Sequence, residues 1–228
     1  MPHLLELFSG TQGVSQTFAA HGWTTTTLDL EPKRNPDICC NILDVTREPL
    51  PQHVACIWAS PDCTPYSNAR TTARLPRDME GADRLVRRAI EIAGFYTCPL
   101  FLDNHVGRLR GRGVVSTLYL RSVDYCPYKD ERFAATYKKP TCIWANTSWI
   151  PQRALCNRWT CQSCENGIHR SHAQRLSTVA GEVALVYPQR QLIQIPPALI
   201  DDIRSFVTSQ LRDAPPERGS GPQRDGDA

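Results

Sequence analysis

Between Leu4 and Leu102 the chain alternates short apolar runs with longer amphipathic stretches, and that alternation leaves few folds open to it. Leu4 to Phe8 is apolar and stops at Ser9-Gly10. Val14 to His21 reads as a helix closed by Gly22, which suits the left-handed position after a helix end. Thr24 to Leu30 is β-branched and reads as a second strand, with Asp29 near its end. Ala55 to Ala59 is a third strand, stopped by Ser60 and Pro61. Met79 to Tyr96 places Leu85, Val86, Ala89, Ile90 and Ala93 on one stripe, the mark of an amphipathic helix. Leu100 to Leu102 is a fourth strand running into Asp103. Strands alternating with helices build a mostly parallel sheet that binds ligands at its carboxyl ends. The expected class is therefore α/β.

With 228 residues the chain has room for one such domain and a small appendage. After about Lys138 the periodicity fades, and residues 146–176 are rich in Cys, Trp, Asn, Arg and His. Order returns at Val183 to Tyr187 and in a helix from Ala198 to Arg212. The expected organisation is a cofactor-binding and catalytic domain over 1–140 and a small Cys/His-rich insert over 141–182. A return strand and closing helix follow over 183–212, then a disordered tail over 213–228. There are ten cysteines, no segment with the layout of a signal peptide and no apolar run of membrane-spanning length. An intracellular protein with reduced thiols is expected, its cysteines serving as core, metal ligands or a nucleophile. A net charge of +3 decides little, so the placement of basic residues matters more than their sum.

Ser9, Gly10 and Gly13 make a turn that lets backbone approach a ligand closely. Asp29, at the end of the next strand, is placed to accept hydrogen bonds from a ribose diol. The pair suits an adenosine-containing cofactor, though such a turn also occurs in any doubly wound fold. In Ser60-Pro61-Asp62-Cys63-Thr64-Pro65-Tyr66-Ser67 a cysteine at a strand's carboxyl end is fixed between two prolines. Alone it reads as a buried thiol in a rigid turn.

Taken in order, Leu7-Phe8-Ser9-Gly10, Asp29, Pro61-x-Cys63-x-Pro65-Tyr66-Ser67, Asp103-Asn104 and Ile195-Pro196-Pro197-Ala198-Leu199 resemble the motif series of the DNA cytosine-C5 methyltransferases. The resemblance covers most of residues 4–206 and is nearest to short, virus- or phage-like members. It implies a Rossmann-like S-adenosylmethionine-dependent methyltransferase fold with DNA as partner, in a prokaryotic cytoplasm, a virus-infected cell or a host nucleus. It further implies that Cys63 is the thiolate that adds to cytosine C6, with Asp103 supporting protonation at N3 and Asn104 beside it. Phe8, Ser9, Gly10, Gly13, Asp29, Leu30 and Pro61 would surround the cofactor, with Asn41 at its adenine amino group. Four departures stand out: Gln12 replaces a glycine and crowds the cofactor turn, and Asp62 replaces a proline beside the nucleophile. Asp103 replaces a glutamate, and the stretch Lys138-Lys139-Pro140-Thr141-Cys142 lacks the arginine of its motif. An impaired relative that binds DNA or a partner protein, and an RNA methyltransferase, share the same residues.

Arg70, Arg74 and Arg77 follow the Cys63 turn, and Arg108, Arg110 and Arg112 follow Asp103. Both groups leave the carboxyl end of the sheet. With Ser67 and Lys139 they are expected to contact DNA, arginines in such loops holding phosphates. Cys161 and Cys164 have the C-x2-C spacing that puts two thiolates on one metal. Cys156 with His169 or His172 would complete a zinc site, whereas Trp149 and Trp159 packing would serve a metal-free loop.

Overall fold

The computed structural model describes residues 1–68, 75–132, 137–169, 178–179, 182–183 and 192–213. Seven strands form one sheet in the order β3-β2-β1-β4-β5-β7-β6. They are β1 (His3–Leu7), β2 (Thr24–Asp29), β3 (Ile38–Cys39), β4 (Cys56–Ala59), β5 (Leu100–His105), β6 (Tyr119–Asp124) and β7 (Pro140–Ala145). The first five are parallel, and β7 runs antiparallel to both β5 and β6. The expected α/β class and mostly parallel sheet are what the molecule adopts.

Helix α1 (Gly13–Ala19) and α3 (Pro197–Asp213) cover one face, and α2 (Met79–Gly94) covers the other. Alternate residues of each central strand feed the two layers. Leu4, Trp58 and Phe101 pack with Val14, Phe18, Leu199 and Ile203, while Leu5, Leu7, Ile57 and Leu102 pack with Val86, Ala89 and Ile92. Because both faces are covered, the central strands read as continuous apolar runs.

Strands β6 and β7 have no counterpart in the sequence expectation, which starts the insert at residue 141. That boundary falls inside β7, which lies between β5 and β6 with Cys142 and Trp144 in one layer and Ile143 and Ala145 in the other. Burial on both sides removes the period-two signal, so this strand merges by composition into the Cys- and Trp-rich tract. The sheet therefore extends through Ala145.

Beyond it, β8 (Cys164–Glu165) and β9 (Ile168–His169) form a hairpin turned by Asn166-Gly167 at φ 48° and 77°. Two left-handed residues in a two-residue loop are the preference of this dipeptide. A second pair, β10 (Thr178–Val179) and β11 (Glu182–Val183), takes up Val183; the remainder of the expected 183–187 strand lies outside the described residues, as do residues 214–228. No helix among the described residues is long and apolar enough to cross a membrane.

Candidate active site

Chain segments at the carboxyl end of the sheet meet in a cavity of about 440 Å³. Phe8, Ser9, Gly10 and Gly13 line it from the turn after β1, and Pro61, Cys63 and Ser67 from the turn after β4. Asp103 and Asn104 enter from β5, Lys139 from the start of β7, and Ile195 from the approach to α3. The sequence-predicted nucleophile, acid and glycine turn thus share one space.

The first turn is wound tightly. Phe8, Gly10 and Gln12 all lie in the left-handed region, at φ 57°, 48° and 58°. For a bulky residue such as Phe8 that conformation is strained, a cost usually found at ligand sites. Gln12 does not crowd the cavity: its Nε2 donates outward to the carbonyls of Arg34 and Asn35 at 2.9 and 3.0 Å. Asp29 stands behind the wall, its Oδ2 accepting the Gly10 N–H and its Oδ1 the Glu31 N–H, both at 2.8 Å. Leu30 is exposed, and Asn41 caps its own turn by accepting from the Leu43 N–H; neither lines the cavity.

The Cys63 turn is locked from several sides. Asp62 Oδ1 accepts from the Thr64 N–H at 2.9 Å and the Thr64 hydroxyl at 2.7 Å, so a side-chain turn replaces the rigidity of the missing proline. The Tyr66 hydroxyl donates to buried Asp83, which also accepts from Arg112 Nε at 2.9 Å. Gly107 lies so close that a Cβ there would stand 2.5 Å from the Tyr66 carbonyl, and the Arg108 N–H donates to that same carbonyl. Only glycine permits this approach between the nucleophile turn and the loop after β5. Arg77 holds the far end of the turn, donating to the carbonyls of Pro65 and Ser67. Arg77 and Arg112 are therefore tied to groups of the protein itself, the Arg112 side chain remaining 39% exposed. Arg108 and Arg110 are exposed. Arg70 and Arg74 lie outside the described residues.

Cys63 itself is exposed, but desolvation by its surroundings raises its thiol pKa, Asp62 and Asp103 push the same way, and Lys139 opposes them. Burial likewise lifts the Asp103 carboxyl above the usual range, against hydrogen bonds from Ser60 and Trp58 and the charge of Lys139. Both hydrogen bonds land on Oδ1, from the Ser60 hydroxyl and from Trp58 Nε1 at 3.0 Å. Lys139 is held by the Leu192 carbonyl at 2.7 Å and by the Tyr125 ring at 4.8 Å. Asn104 donates to the Pro61 carbonyl at 3.3 Å, but its Oδ1, the Ser9 hydroxyl and His105 Nε2 are buried along the cavity without a partner among the described residues. Buried orphan polar atoms await a polar ligand or water.

Glu6 was invisible in the sequence as a site residue, since it sits within an apolar strand. It lines the cavity floor, accepts the Ser15 N–H at 2.9 Å, and burial raises its carboxyl to about 7 despite that bond and one from Val14. Between 4.5 and that value the folded chain keeps a proton the unfolded chain has lost. Stability is therefore expected to fall as pH rises through this window, by about 3 kcal/mol from this group. Glu6→Gln keeps an acceptor for Ser15 and loses the slope; melting curves between about pH 5 and pH 8 read the difference.

No family model matches the chain. A protein of Frog virus 3 (isolate Goorha), named probable DNA (cytosine-5)-methyltransferase, is 27% identical over 215 residues, 88% of this chain and 97% of its own length. The chain is thus similar over most of its length to one protein named for cytosine-C5 methyl transfer. Solved structures with a similar backbone include S. pombe Dnmt2 methyltransferase, at 13% identity and a TM-score of 0.45 over 73% of this chain. The Entamoeba histolytica methyltransferase EhMeth aligns at 12% identity and a TM-score of 0.42 over 68% of this chain. The chain spans 57% and 56% of the length of those two proteins.

Proposed function

We propose that this chain transfers the methyl group of S-adenosylmethionine to C5 of cytosine in DNA through a covalent bond to Cys63. The observation that carries the reading is the convergence of Cys63, Asp103 and the strained Phe8–Gly10 turn on one cavity. The orphaned Ser9 hydroxyl and Asn104 Oδ1 fit a polar cofactor there. Phe8, Ser9, Gly10, Gly13 and Pro61 would hold it, with Asp29 shaping the turn from behind.

Cytosine C5 is a weak nucleophile. The Cys63 sulfur gives its electron pair to C6, and the ring electrons shift toward C5 while Asp103 donates a proton to N3. S-adenosylmethionine, when bound, supplies the electrophilic methyl that C5 takes. Loss of the C5 proton to solvent, with return of the N3 proton to Asp103, then lets the C6–S bond break and restores the thiolate and the acid. Lys139 stabilises the thiolate and keeps Asp103 from being isolated in a dry site. The target base has to leave the helix stack to reach this depth. Arg70, Arg74, Arg108, Arg110 and Ser67 are the groups proposed to meet the DNA.

Bisulfite sequencing tests the reading. Cytosines protected from conversion are expected at defined positions only when the chain and S-adenosylmethionine are both present, and RNA of the same sequence is expected to convert fully. Complete conversion of DNA from every sequence context would overturn it.

A further inference from the structure

The tract after β7 leaves Ile150, Leu155, Trp159 and Ile168 exposed, yet its sulfur atoms are gathered. Cys126, Cys156, Cys161 and His169 bring their ligand atoms within 4.8 Å of one another. The His169 Nε2 lies 3.0 Å from the Cys156 sulfur and 3.6 Å from that of Cys126. Around a tetrahedral ion with bonds of about 2.3 Å to sulfur and 2.0 Å to nitrogen, ligand atoms stand about 3.5–3.8 Å apart. The cluster has that scale. An imidazole nitrogen aimed among three thiols serves no disulfide, and all ten cysteines are free.

Several pieces of local chemistry build the cluster. The Asn166-Gly167 turn folds β9 back so that His169 pairs with Cys164 across the hairpin. Cys126 arrives from outside the tract, on the turn (Cys126–Tyr128) that follows β6. It is buried, and Asp124 beside it accepts the Cys156 N–H at 3.0 Å.

We infer that Cys126, Cys156, Cys161 and His169 hold one zinc ion, which fastens the tract to the end of β6. Three thiolates and an imidazole are a closed, structural zinc set with no open position for substrate. Cys164 sits beside Cys161 and Cys156 but outside the group of four, and His172 lies outside the described residues. The ligand set thus differs from the one expected on spacing: Cys126 replaces Cys164. The inference is independent of the methyl-transfer reading. The segment between β6 and β7 carries Cys126 at one end and Lys139 at the other, so the ion also anchors the stretch that delivers Lys139 to the cavity.

Protein purified without chelators is expected to carry about one zinc per chain by elemental analysis. Cys126→Ser loses it and Cys164→Ser keeps it. Cobalt in place of zinc gives thiolate-to-metal absorption. An alkylation map of the unaltered chain avoids reliance on variants that fail to fold: Cys126, Cys156 and Cys161 are protected with metal and react after chelation, while Cys63 and Cys164 react in both states. Absence of bound metal would overturn the inference. So would zinc retained by Cys126→Ser but lost from Cys164→Ser, or an alkylation pattern that chelation leaves unchanged.

Discussion

Incubated with 5-fluorocytosine DNA and S-adenosylmethionine, the unaltered chain is expected to give a protein–DNA adduct that survives denaturation, and Cys63→Ser to give none. Fluorine at C5 cannot leave as a proton does, so the C6–S bond stays closed once formed. A serine hydroxyl without a strong base beside it is a far weaker nucleophile than a thiolate, and turnover should drop by roughly 10⁴-fold or more. The fold should be untouched, because Cys63 is exposed and its turn is held by Asp62, Tyr66 and Gly107 rather than by its own sulfur. Asp62→Asn refines the test. Asn keeps the Oδ1 that accepts both Thr64 bonds and removes the charge that raises the thiol pKa, so adduct formation near neutral pH should speed up. Adducts mapping by mass spectrometry to a different cysteine would sink the Cys63 assignment.

Asp103→Asn should cost about 10²- to 10⁴-fold in turnover with little change in melting temperature. The asparagine Oδ1 still accepts from Ser60 and Trp58, so the end of β5 stays in place. What is lost is the proton. In the unaltered chain, raising pH removes protons from Asp103 while it makes thiolate at Cys63. Both pKa values are raised, the carboxyl from 3.8 and the thiol from 9.0. Between them the two effects cancel, and turnover is expected to be flat. In Asp103→Asn only the thiolate varies, and turnover should rise about tenfold per pH unit over the same range. Matching flat profiles in the two proteins would remove Asp103 from the chemistry.

The half of the molecule that carries the cavity was legible in the sequence because its signals are local. A strand that stops at Ser9-Gly10, an acid at a strand end and a cysteine between prolines each announce themselves within a few residues. What stayed hidden depends on distant partners. Strand β7 is buried on both faces and shows no alternation. Cys126 lies far upstream of the tract it joins, so no spacing rule reaches it. The outward turn of Gln12 and the internal ties of Arg77 and Arg112 depend on carbonyls and a carboxylate elsewhere in the fold. The Asn166-Gly167 hairpin, by contrast, was readable from its dipeptide alone and would have brought His169 to the sulfur cluster.

The nucleophile and the acid leave two neighbouring strands in the middle of the sheet, where Ala59 pairs with Leu102. Their separation is thus written in ladder hydrogen bonds shielded by a helical layer on each side. Partial openings of a protein begin at frayed termini and loosely packed loops, and its central strands part only when everything does. Heat should then leave this pair of groups correctly spaced up to the global transition. Any activity lost below that temperature reports on elements outside the central strands, and not on the spacing of thiol and carboxyl.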